Sequence, residues 1–209
     1  MRVSDSHRVL FVHIPKTGGS TIDAIFDREI EDGRRIPNRQ RHATYRRLVQ
    51  AEPQFREYWS CGFVRNPWAR MVSWWTMGGE VFTRAEAGFE KAQNHLQSNP
   101  EHWAPFGEYR DDFRRFVLEG TVEVKRFGQP QIRWLTKRGG GLVDFVGKVE
   151  NFVEDVNVVR EHLGLEPVPE QPRRNKSTHG HYSEYYDDET RTRVAEVFAD
   201  DIEAFGYTF

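Results

Sequence analysis

Val9-Leu10-Phe11-Val12-His13-Ile14-Pro15-Lys16-Thr17-Gly18-Gly19-Ser20-Thr21 decides how the rest of the chain is read. Its first four residues are a continuous apolar run that stops at turn residues, the pattern of a strand buried on both faces of a parallel sheet. Beyond the glycines, Ile22, Ile25 and Phe26 recur at helical spacing, with Ser20 or Thr21 available as the helix cap. Strand, loop and helix follow in that order.

A second unit of the same kind lies downstream. Residues 59–64 read as a strand, and Trp68, Met71, Val72 and Trp75 fall on one face of a helix that Pro67 starts. Two such units predict an α/β fold, a P-loop-like three-layer domain with a central parallel sheet. Residues 43–51 predict a short helix between them. Residues 142–149 predict a third strand and 151–163 a helix ending at Gly164. The last helix is expected over 188–205. Between 78 and 140 strand character is lost: 84–97 and 111–119 read as helices around a Pro- and Trp-containing loop, 99–109. This stretch reads equally as a helical insertion or lid on the acceptor side and as an ordinary helical flank. One domain over 1–209 is expected.

Composition narrows the function. Thirty Lys and Arg against 32 Asp and Glu give a net charge of −2, so no bulk field draws the chain to nucleic acid or to an anionic membrane. Aromatic residues at 13% argue for a packed core. The single cysteine, Cys61, excludes an intrachain disulfide and reads as a buried, inert thiol. Residues 1–8 look polar, and the first apolar run is too short for a signal or membrane helix, so a cytoplasmic protein is expected.

A loop that grips a phosphate needs backbone N–H groups without obstructing side chains and a helix N-terminus aimed at the anion. Gly18 and Gly19 allow the approach, Ser20 and Thr21 add hydroxyls, and Lys16 adds a charge. Lys16 precedes the glycines, whereas a Walker A loop places its Lys after them. Arg65, at the carboxyl end of the second strand, and Ser73, about two turns into the next helix, would suit a second phosphate. Arg70 could contribute there too, although an exposed helix residue is the first expectation for it.

The two segments Lys16 to Thr21 and Phe63-Val64-Arg65-Asn66-Pro67-Trp68-Ala69-Arg70-Met71-Val72-Ser73 together resemble the nucleotide-gripping segments of sulfotransferases that use 3′-phosphoadenosine 5′-phosphosulfate. The nearest branch is that of heparan sulfate 2-O-sulfotransferases and related carbohydrate enzymes. The resemblance assigns Lys16, Thr17, Gly18, Gly19, Ser20 and Thr21 to the 5′-phosphosulfate, and Arg65 and Ser73 to the 3′-phosphate. It also implies a carbohydrate hydroxyl as acceptor and no metal. Weaker similarity extends to Lys148-Val149-Glu150-Asn151, Arg174-Asn175-Lys176-Ser177 and the ending 201–207.

In-line sulfuryl transfer needs a base for the acceptor hydroxyl and positive charge on the leaving oxygen. Lys16 suits the second task. His42 suits the first, because it resembles in position the base proposed for the heparan 2-O branch. That branch's second histidine is replaced here by Asn38-Arg39-Gln40. His13 reads as a residue that orders the loop. His179 and His181 have the spacing of a metal-ligand pair but no third ligand nearby, and read as loop; their neighbours Arg173, Arg174 and Lys176 read equally as groups that approach the nucleotide or an anionic acceptor and as a solvated basic loop. Two other readings stay open: a Mg²⁺-dependent P-loop kinase, which would want an acidic residue at a strand end, and a binding module without catalysis.

Overall fold

The computed structural model describes residues 1–36, 42–98, 100–169 and 180–209. Asn38, Arg39 and Gln40, the basic residues Arg173, Arg174 and Lys176, and His179 lie outside them. In chain order the elements are β1 (Arg2–Ser4), β2 (Val9–Val12), α1 (Gly19–Arg28), β3 (Arg34–Arg35), α2 (Tyr45–Ala51), β4 (Trp59–Val64), α3 (Pro67–Glu86), α4 (Glu90–Gln97), α5 (Pro100–Gly107), α6 (Phe113–Arg115), α7 (Thr121–Glu123), α8 (Ile132–Leu135), β5 (Phe145–Lys148), α9 (Phe152–His162), α10 (Asp188–Val197) and α11 (Ala199–Phe205). The chain groups into two units, residues 1–65 with 131–176 and residues 66–130 with 177–209.

The first unit holds the sheet, in the order β3-β1-β2-β4-β5. β2, β4 and β5 are parallel, as their apolar runs predict. The sheet as a whole is mixed, because β1 pairs antiparallel with both β2 and β3. The polar terminus expected over 1–8 is therefore corrected: Arg2, Val3 and Ser4 are buried in a strand. Arg2 is tolerated there because its guanidinium meets two carboxylates of α1, Asp23 at 3.1 Å and Asp27. A three-residue strand that begins with a charge leaves no apolar period to read.

Side chains alternate across this sheet. Val9, Phe11, Cys61 and Phe63 pack with Ile22, Ile25 and Phe26 of α1 and with Val156, Val159 and Leu163 of α9. On β4, Gly62 is closed over by α8, since a Cβ there would stand 2.5 Å from a Leu135 methyl. Helices flanking a sheet give the three-layer α/β fold. Burial pushes the Cys61 thiol pKa well up and the Asp144 charge adds to the rise, so Cys61 is inert, as read.

Three carboxylates tie this unit together at its surface. The Arg160 guanidinium, 2.8 Å from Glu29, holds that carboxyl below its ordinary value of 4.5. Burial opposes ionisation of Asp144 and Asp32. Bonds from Lys137 and Ser60 to the first, and from Ser4 and Ser6 to the second, nevertheless leave both below 3.8. Depressed carboxyls stabilise the fold above their ordinary values and lose that contribution as pH falls through the lowered ones. The urea midpoint is therefore expected to be flat from pH 7 to about 5 and to fall steeply below about 4. A midpoint that stays constant to pH 3 would remove these groups from the account.

The second unit is helical around an aromatic core. Asn66 caps α3 by accepting from the amides of Trp68 and Ala69, and Pro67 occupies the first helical position. Trp68, Ala69, Arg70, Met71, Val72 and Trp74 are all buried, so the start of α3 has no broad solvent face. Arg70 accordingly corrects the sequence expectation. It is 1% exposed, with its Nη1 donating to the Gln129 carbonyl and its guanidinium 5.9 Å from the Phe198 ring.

Other boundaries shift for local reasons. α3 continues through Gly78, whose missing side chain admits the Phe106 ring, and the helix expected over 84–97 is divided at Gly88, where φ is +85°. The loop expected over 99–109 contains α5, and 111–119 resolves into α6 and a π-helical turn, Phe116–Gly120. The last helix breaks at Phe198, a fully buried residue that closes α10 and opens α11.

Candidate functional site

Within the first unit, the carboxyl end of β2 runs into the loop 13–18 and the N-terminus of α1. The backbone turns there through two left-handed residues, Lys16 at φ +70° and Gly18 at φ +74°. A non-glycine residue in that region is uncommon. The Thr17 hydroxyl, fully buried, donates to the Ile14 carbonyl at 3.0 Å, so that side chain is engaged within the loop itself.

The cap of α1 is Gly18, not Ser20 or Thr21 as the sequence suggests, and it has no side chain to bond the first turn. Ser20 and Thr21 sit inside that turn with their side chains exposed. No acidic residue occupies the turn. Helix N-termini leave amides without intrahelical partners and carry a partial positive charge. An uncapped, acid-free N-terminus beside a half-buried Lys16 fits an anion.

The glycines also serve the protein's own packing. A Cβ on Gly18 would lie 2.6 Å from the Phe152 ring, and one on Gly19 would lie 2.1 Å from the His13 imidazole. Phe152 follows the 3₁₀ turn Val149–Asn151 at the end of β5, so the 148–151 segment delivers that ring to the loop. His13 is 3% exposed and stands 3.7 Å, from its Nδ1, from the Asp23 carboxylate that Arg2 also grips.

His42 completes the cluster. Its ring stands edge-on to His13 with centroids 4.6 Å apart, and edge-on to Trp134 at 6.4 Å. Its Nδ1 lies 3.0 Å from the His13 carbonyl oxygen. A carbonyl only accepts, so Nδ1 carries the hydrogen, and in the neutral ring Nε2 is the basic nitrogen. Sequence reading placed His42 alone and missed His13, Asp23 and Trp134 as its surroundings.

Arg65 follows β4 directly, at the expected carboxyl edge, and is half-buried. Its backbone is clamped on both sides by one side chain: buried Gln131 accepts from the Arg65 amide and donates to the Arg65 carbonyl, both at 2.9 Å. Nothing in the sequence signalled Gln131. Ser73 belongs to the second unit, partly exposed on α3. Asp144, which precedes β5, bonds the Ser60 amide and hydroxyl at the amino edge of the parallel strands, the end away from the loop.

Among the described residues no three His, Cys, Asp or Glu side chains group as a metal site would require, and no helix is long and apolar enough to cross a membrane. Searches of curated proteins and of solved structures found no match to the chain. A protein-family model, however, matches residues 1–208. An α/β sheet with an anion-fitted turn at its carboxyl edge agrees with that match, and the chain belongs to the sulfotransferase family, enzymes that transfer a sulfuryl group.

Proposed function

We propose that the chain transfers the sulfuryl group of 3′-phosphoadenosine 5′-phosphosulfate to a hydroxyl, with a carbohydrate as the acceptor class. The supporting observation is the loop 13–21, where a left-handed Lys16, an uncapped helix N-terminus and the His13–His42 pair occupy one end of the sheet. The amides from Thr17 to Thr21 would hold the 5′-phosphosulfate, and Arg65 would take the 3′-phosphate. Ser73 is added to the 3′-phosphate ligands on the family resemblance alone. The helices within 78–140 are the proposed acceptor side.

In the transfer, the acceptor oxygen bonds to sulfur as the bond from sulfur to the 5′-phosphate oxygen breaks. His42 Nε2 takes the hydroxyl proton, and Lys16 balances the charge left on the departing oxygen. The His13 carbonyl keeps His42 in the tautomer this requires. A kinase finds less support, because Asp144 stands at the wrong end of the sheet to hold Mg²⁺ by a nucleotide.

The test is calorimetry with adenosine 3′,5′-bisphosphate together with labelled-donor transfer across a glycan panel. Lys16→Ala is expected to cut transfer by about 10²–10³, the range for losing one charge-stabilising donor. Failure of the purified protein to bind the bisphosphate would reject the donor assignment.

A further inference from the structure

We propose that Arg126 and Trp74, in the second unit, form a binding site for an oxyanion, a carboxylate or sulfate group carried by the acceptor. The inference rests on the family's need for an acceptor and is independent of which nucleotide is the donor.

The observation behind it is a pair of buried donors without an acceptor. The Trp74 indole is 3% exposed, and its Nε1 has no hydrogen-bond partner among the described residues. The Arg126 guanidinium lies over that indole, 5.7 Å from the ring centroid, and its Nε is likewise buried and unpartnered among the described residues. Burial pushes the Arg126 pKa down, and the charge of Glu101, which acts in the other direction, does not offset it. Aromatic residues pack beside the pair: Phe127 meets the Trp74 ring at 5.3 Å, in a core with Phe106 and Trp103.

Such an arrangement is costly for the protein alone. A cation removed from water wants a counter-charge, and a buried N–H wants an acceptor. Contact with an indole face compensates the charge in part and satisfies neither N–H. One ligand group relieves both: an oxyanion with two acceptor oxygens, the geometry that a guanidinium fork matches. A neutral hydroxyl would satisfy a donor and leave the charge unpaired. Part of the Arg126 side chain remains accessible, so a solute can reach it.

The experiment is a ¹⁵N-edited NMR titration of the full chain, read at the indole N–H signals of its six tryptophans, with Trp74→Phe identifying the relevant one. The probes are glucuronate, glucose 6-sulfate and, as neutral control, glucose. The expected result is a saturable shift of the Trp74 signal with one or both anions and none with glucose. The responding anion shows whether carboxylate or sulfate is taken. Arg126→Gln is expected to weaken the response by about tenfold or more, the loss of a charged hydrogen bond. A Trp74 signal unmoved by either anion, or moved equally by glucose, overturns the proposal even if Arg126→Gln fails to fold. An unchanged response in folded Arg126→Gln does so as well. Calorimetry with adenosine 3′,5′-bisphosphate on the same sample reports separately on the donor reading.

Discussion

Substituting His42→Ala is expected to lower kcat for sulfuryl transfer by about 10²–10⁴, the usual contribution of a positioned general base, while leaving affinity for adenosine 3′,5′-bisphosphate unchanged. The division follows from the geometry. In the proposed role His42 takes the acceptor's proton and is no ligand of the phosphates, its Nδ1 being engaged by the His13 carbonyl. Lys16 and the α1 amides remain in place. Stopped-assay kcat paired with calorimetry separates the two quantities. A variant that transfers at the wild-type rate would strip His42 of its role and leave the binding site intact.

The second large effect comes from a single methyl group. Gly19→Ala places a Cβ 2.1 Å from the His13 ring, a distance no real contact tolerates, and His13 is buried with no direction in which to yield freely. Either the ring or the start of α1 must move. The overpacking is expected to cost about 1–3 kcal/mol of stability. Because His13 carries both the ring contact and the carbonyl that orient His42, transfer should fall far more than stability does. Gly79→Ala is the control: Gly79 lies within α3 with nothing within 4 Å of its would-be Cβ, and the change should be neutral or stabilising by up to about 1 kcal/mol. Urea unfolding and transfer assays on both variants decide the matter. Equal behaviour of the two would mean that His13 is not held as the structure describes.

The legible parts of this protein were those written in runs of neighbouring residues. Val9–Val12 and Trp59–Val64 announced buried parallel strands, and the turn residues after each marked the carboxyl edge of the sheet. What escaped depends on partners far apart in sequence. β1 is invisible because Arg2 is unremarkable until Asp23 and Asp27 arrive from α1 to neutralise it. Arg70 reads as a surface residue until the aromatic side chains of the second unit surround its helix. The heparan 2-O branch's second histidine is absent at residues 38–40, while a partner for His42 stands 29 positions upstream, at the first residue of the loop. Its availability turns on Gly19 having no side chain, a fact about space that no spacing rule expresses. Even the glycines were half understood: a need for close approach was legible, but not that Phe152 and His13 are what approaches.

The clamp between Gln131 and the Arg65 backbone bears on how such an enzyme diversifies. The chain leaves the sheet-bearing unit at Arg65 and re-enters it at Gln131, and those two residues are bonded to each other. The departure and return of 65 intervening residues, 66–130, are thus fixed at one joint. Whatever is strung between them can lengthen, shorten or change sequence without asking the strands to re-register, since the cost of varying a closed loop grows only slowly with its length. A lineage can in this way keep the sheet and the turn at its carboxyl edge while the stretch hung between Arg65 and Gln131 drifts.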